Sequence, residues 1–174
     1  MARLFGREYS REELLQRMGD ISQLAGVRVG ELGDGFERGV RTADVRTGSG
    51  FDFTVLVDRG MDIAWASYRG ASIAWRSATT ATAPAFYEPE GLGWLRGFHG
   101  GLLNTAGLTQ TCAPAVDDGQ QLGLHGRASY IPASHLSYGG EWHGDEYEMW
   151  VSGQLRQAVV FGENLLLRRR ISAR

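Results

Sequence analysis

Most of the residues that could do chemistry fall in two glycine-rich segments. The first is Trp94-Leu95-Arg96-Gly97-Phe98-His99-Gly100-Gly101-Leu102-Leu103, and the second is Leu122-Gly123-Leu124-His125-Gly126-Arg127. Glycine beside a polar residue lets backbone and side chain both approach a ligand closely. Arg96 and Arg127 offer forked donors to hydroxyls or to an acidic substituent, and His99 and His125 can donate, accept or move a proton near neutral pH. Against this stands the structural reading, which composition alone favours: arginines in ion pairs and histidines satisfying buried backbone groups.

Other chemistries find little support. The four histidines, His99, His125, His135 and His143, fall in neither HxH nor HExxH spacing, and the lone cysteine, Cys112, has no partner at ligand spacing. No metal site and no cofactor are expected. The pairs Gly100-Gly101 and Gly139-Gly140 match neither a phosphate loop nor a dinucleotide fingerprint, and no GxSxG elbow occurs.

These segments need a scaffold, and the pattern around them is that of strands. One helix is signalled first: Ser10 and Glu13 form a capping box, Leu14, Leu15 and Met18 form an apolar stripe, and Gly19 supplies a stop. Strands then follow over 39–47, 51–57, 61–66 and 71–75, divided by turns at Asp58-Arg59-Gly60 and Tyr68-Arg69-Gly70. The stretch 77–118 has little alternation, carries Pro84, Pro89 and Pro114, and keeps Phe86, Tyr87, Trp94 and Phe98; it reads as ordered binding loops. Strands resume at 133–138, 147–151 and 155–161, and Gly162-Glu163-Asn164 turns the chain into a last strand ending at Ser172. The expected fold is therefore mainly β, an antiparallel β-sandwich with a short N-terminal helix. A helical segment spans 1–24 and the sandwich domain spans 25–174.

Composition bounds the partners. The 174 residues include 18 basic and 20 acidic ones, for a formal charge of −2, so no nucleic acid is expected. Every basic residue is arginine. No apolar run is long enough for a membrane span, the N-terminus lacks a signal-peptide core, and a single cysteine forms no internal disulfide; the expected setting is cytoplasmic. The last strand, 165–172, leaves an unpaired edge near Arg174, so the sandwich reads as truncated at its C-terminal end. That bare edge also makes it a candidate for pairing with another chain or for homo-oligomerisation.

The run Val57-Asp58-Arg59-Gly60-Met61-Asp62-Ile63, followed by Gly70 and Ile73-Ala74-Trp75, resembles the early hairpins of aldose 1-epimerase-like proteins, in particular the DUF4432 branch. Arg96 with Gly100-Gly101, then Leu124-His125-Gly126-Arg127 and Pro132-Ala133, is similar to the arginine and His-Gly motif of hexose-6-phosphate epimerases and galactose mutarotases. The resemblance covers 25–172 and implies a galactose-mutarotase-like supersandwich, incomplete here, that handles a sugar. It implies that His125 takes the place of the family's first active-site histidine, near the sugar's ring oxygen, with Arg96 and Arg127 holding hydroxyls or an anionic group. His99 and Trp94 would lie in the same cleft region, Trp94 as a stacking platform, whereas Asp58, Arg59 and Asp62 would fix the hairpin. In the family, ring opening uses a second histidine as acid and a late glutamate as base. His135 and His143 come too soon after His125 to match, and no glutamate follows Glu163. Three readings follow: a sugar epimerase or isomerase in its full-length form, a non-catalytic carbohydrate-binding module, or an interaction domain using its edge strand.

Overall fold

The computed structural model describes residues 2–4 and 6–174. Strands β1 (Ala2–Leu4) and β2 (Arg7–Tyr9) form a small antiparallel hairpin ahead of helix α1 (Arg11–Leu15). The capping box is made in both directions: the Glu13 amide donates to Ser10 Oγ at 3.1 Å, and the Ser10 amide donates to Glu13 Oε2 at 2.9 Å. The helix stops at Leu15, short of Gly19, because only Leu14 of the expected apolar stripe is buried. A single buried contact holds a single turn.

A five-stranded antiparallel sheet follows, in the order β3 (Gly26–Glu31), β4 (Arg41–Arg46), β5 (Phe51–Leu56), β6 (Asp62–Tyr68), β7 (Ala71–Ser72). β3 was not among the expected strands; its Val27 and Val29 alternate, but glycines at 26 and 30 dilute the signal. The middle of the chain is irregular, as its composition suggests. It holds 3₁₀ turns at Pro84–Phe86 and Gly93–Gly97, the short pair β8 (Trp75–Arg76) with β9 (Gly100–Gly101), and the small hairpin β10 (Ala115–Asp117) with β11 (Gln120–Leu122).

The second sheet contains β12 (Ser134–His143), β13 (Glu146–Ala158) and β14 (Asn164–Ala173) in that order. The two strands expected over 147–151 and 155–161 are one long strand, β13. Gly153 joins them, because a Cβ there would lie 2.8 Å from Met61 Sδ and 3.1 Å from Ala133 Cβ. Glycine at this point allows the sheets to close on each other.

Val45, Phe53, Val55, Val57 and Met61 of the first sheet and its turn pack with Met149, Val151 and Leu155 of the second. This inter-sheet layer defines a sandwich. On its other side the first sheet offers Leu56 and Ala64 to Val40, Ala81 and Ala83, which seats the irregular middle on the sheet. Among the described residues β14 pairs only with β13, so its outer edge is bare, and no helix is long and apolar enough to cross a membrane.

Candidate functional site

The turn between β5 and β6 anchors everything around it. Asp58 accepts from Arg41 Nε at 3.0 Å and Nη2 at 2.5 Å, and the same guanidinium donates to the carbonyl of Ala133 at 2.8 Å. Arg59, 1% exposed, has no carboxylate in hydrogen-bond reach among the described residues. Its guanidinium instead donates to the carbonyls of Ser129 at 2.9 Å, Thr82 at 2.5 Å and Gly97 at 2.9 Å, and lies 3.9 Å above the ring of Tyr130. Those carbonyls belong to three separate irregular segments. A buried guanidinium with five fixed donors suits such a clip, although burial lowers its proton affinity.

Asp62 is fully buried. Its Oδ1 accepts from Thr105 Oγ1 at 2.5 Å and lies 3.4 Å from Arg169 Nη1, while Oδ2 has no partner among the described residues. Arg169 also donates to the Gly60 carbonyl at 2.6 Å, which ties β14 to the turn. Burial pushes the Asp62 carboxyl up to about 6, against the opposing pull of Thr105, Arg169 and Arg59. The folded chain therefore holds this proton more tightly than the unfolded chain. The resulting stabilisation is complete below the ordinary carboxyl value near 3.8 and is lost as pH rises through about 6. The loss amounts to about 3 kcal/mol, from the energy of a unit shift. Asp62→Asn should remove this slope. Urea unfolding at pH 4 and pH 7.5 should show the variant gaining on the parent at the higher pH, and parallel curves would contradict the assignment.

The His-Gly turn sits over this anchor. His125 and Gly126 both adopt left-handed backbone, φ 56° and 71°. A Cβ on Gly126 would meet the Gly107 carbonyl at 2.5 Å and the Gln110 carbonyl at 2.8 Å, so only glycine fits. His125 is itself a left-handed non-glycine residue, a conformation that concentrates at functional positions. The Gly107 amide donates to its carbonyl at 2.8 Å, and its own amide donates to the Cys112 carbonyl at 3.0 Å. The Cys112 amide donates to His125 Nδ1 at 3.0 Å. In the neutral ring the proton therefore resides on Nε2, leaving that nitrogen a donor.

Behind the ring stands Trp94, edge-on to it with centroids 4.7 Å apart. The indole is buried, stacks on Phe98 at 4.8 Å and donates from Nε1 to Ser129 Oγ at 2.7 Å. Tyr87 stacks on Tyr130 at 4.0 Å and donates to the Gly126 carbonyl at 2.9 Å.

A cleft of about 270 Å³ opens between this turn, the 109–110 loop and the ends of β13 and β14. Tyr87, Gln110, Gln120, Gln121, Arg127, Gln157 and Glu163 line it. Gln157 is buried on the inward face of β13, accepts from the Leu108 amide at 3.2 Å and donates to Thr109 Oγ1 at 3.0 Å. Gln110 donates to the Ala113 carbonyl at 2.7 Å, but its buried Oε1 lacks a donor. A larger cavity of about 430 Å³, lined by Leu4, Leu14, Leu24 and Trp142, is mainly apolar and contains none of these groups.

The structure brings some of the expected residues together and separates others. Trp94 touches His125, and Arg127 extends the His-Gly turn into the cleft. Arg96 projects outward with a side chain 74% exposed and meets Glu88 at 3.0 Å. His99 is fully buried, and among the described residues neither ring nitrogen has a partner. Burial, with Arg59 and Arg76 nearby, drives its pKa down to about 3, so it is neutral. Among the described residues no cluster of three or more His, Cys, Asp or Glu is placed to hold a metal. Tyr87 lies in the stretch 77–118 expected to form binding loops, whereas no motif marks Gln110, Gln157 or Glu163. Of these three, Gln157 shares the inward alternation of Val151 and Leu155.

Comparison with known proteins adds to this geometry. The family model described as "Domain of unknown function (DUF4432)" matches residues 37–174. The crystal structure of a "putative aldose 1-epimerase" from Klebsiella pneumoniae is similar to this chain with a TM-score of 0.76 and 25% sequence identity. The likeness covers 84% of this chain and 39% of that one, so the present chain spans well under half of that protein's length. No curated protein matches the sequence.

Proposed function

This chain belongs to the DUF4432 family, and from that premise we propose that it binds a carbohydrate in the cleft beside the His-Gly turn and serves a sugar epimerase or isomerase. The observation that carries this reading is the state of His125. Its Nδ1 is occupied by the Cys112 amide, so Nε2 is a donor, and Gly126 and Arg127, which follow it, line a polar cleft. Sugar hydroxyls both donate and accept. They can donate to Glu163 and take hydrogen bonds from Arg127 and Gln157.

Anomer interconversion requires a proton delivered to the ring oxygen and another removed from the anomeric hydroxyl. We assign the first contact, a hydrogen bond to the ring oxygen, to His125 Nε2; His125 does not itself line the cleft, but its neighbours Gly126 and Arg127 do. The likeness to a structure named as an aldose 1-epimerase supports this class of reaction. A binding role without catalysis is the second reading. It is favoured by the placement of the other histidines: His99 is sealed in the core, His143 lies 3.4 Å from Glu141, and His135 lines a different cavity with Arg168.

His125→Asn tests the assignment. Asparagine tolerates left-handed backbone and can still accept from the Cys112 amide, but it removes the Nε2 donor. Calorimetric titration with a panel of aldoses should show affinity reduced about tenfold, the value of one lost ligand hydrogen bond. Unchanged affinity would refute the role of His125. Polarimetry on the unmodified protein separates the two readings, since only an enzyme accelerates mutarotation.

A further inference from the structure

The charges lining the cleft are one guanidinium, Arg127, and one carboxylate, Glu163; among the described residues neither makes a salt bridge. The other polar side chains there are neutral: the amides of Gln110, Gln120, Gln121 and Gln157 and the hydroxyls of Tyr87 and Thr109. Glu163 is not loosely hung. It sits in the β13–β14 turn, where the Val159 amide donates to its carbonyl at 2.9 Å and the Gly162 amide donates to the Val159 carbonyl at 3.1 Å. Among the described residues its side chain has no hydrogen-bond partner, and it is half-buried.

A ligand with a phosphate or carboxylate would bring negative charge beside Glu163 into a site whose lining charges cancel. Desolvating an anion without a net positive counterpart is unfavourable. A neutral ring meets no such barrier, and its hydroxyls can donate to the Glu163 carboxylate. We propose that Glu163 makes this cleft selective for uncharged polyhydroxylated rings over phosphorylated or acidic ones. The inference rests on the carbohydrate-binding reading above, and Glu163 is its specificity-determining residue.

The test is a ratio of affinities. The tightest-binding neutral aldose of the panel is titrated beside its 6-phosphate and its 6-carboxylate, against the parent chain and Glu163→Gln. The parent should prefer the neutral sugar by at least about tenfold, a preference of electrostatic origin. In Glu163→Gln the ratio should fall to within about threefold, chiefly through tighter binding of the charged ligands. An unchanged urea midpoint confirms that the variant is folded. If it does not fold, the parent alone still decides: the ratio should narrow as salt is raised from low to high ionic strength. A parent that binds charged and neutral forms alike, or a ratio unmoved by the substitution, overturns the inference. A parent that binds no sugar at all removes the carbohydrate reading itself.

Discussion

Arg59→Met should cost the chain roughly 3–5 kcal/mol, a large part of the stability of a domain this size. The reason lies in what the guanidinium leaves behind. Methionine fills much of the same volume, but the carbonyls of Thr82, Gly97 and Ser129 lose their donors. Each stranded buried acceptor costs about 1–3 kcal/mol. The relief of no longer burying an arginine without a carboxylate offsets part of that sum. Arg59→Lys should rescue little, because one ammonium cannot reach three carbonyls in divergent directions. The readout is the urea midpoint with an unchanged slope, together with the near-ultraviolet signal of Trp94, whose segment the clip secures. A midpoint shift worth less than about 1 kcal/mol would show that the loops hold without the clip.

Acid should unfold the protein through His99. The folded state keeps this imidazole neutral down to about pH 3, whereas the unfolded chain takes up the proton near 6.5. A depressed folded value means stability that is present above about 6.5 and lost as pH falls toward 3. The full difference amounts to about 5 kcal/mol, and about 3 kcal/mol of it is gone by pH 4. The cause is burial first, then the positive charges of Arg59 and Arg76, which make an imidazolium here doubly unfavourable. His99→Phe should abolish this part of the pH dependence, so the free-energy difference between variant and parent should change by about 3 kcal/mol between pH 7 and pH 4. A constant difference would mean that the ring finds solvent or a partner. Asp62 runs in the opposite sense, gaining stability with acid. Because both groups feel Arg59, the two variants should be combined in a cycle rather than summed.

The sequence-level reading of the turn at Asp58–Asp62 and its structure agree in kind and differ in reach. Turn-forming aspartate and glycine suggest a fixed hairpin. In the fold, Asp58, Arg59 and Asp62 also bind Arg41, three loop carbonyls, Thr105 and Arg169, residues up to 107 positions away. Spacing along a chain carries no information about such partners. The same limit explains the cleft. His125, Gly126 and Arg127 stand out because a histidine and an arginine flank a glycine. Tyr87, Gln110 and Glu163 arrive there from unrelated segments without any motif. Arg96 was singled out by its glycine-rich surroundings, yet its local 3₁₀ turn points it outward to Glu88.

What the sequence determined by itself is whatever rests on near neighbours: the capping box at Ser10 and Glu13, the alternation of β5, the β13–β14 hairpin and the mainly β class. Each depends on contacts within a few residues or on a repeating period, and both are written in order along the chain. Which charges are buried, which of them face one cleft and which tautomer His125 holds depend instead on the assembled fold. Those follow from burial and from long-range approach of loops, where the dielectric and the partners are set by segments distant in sequence.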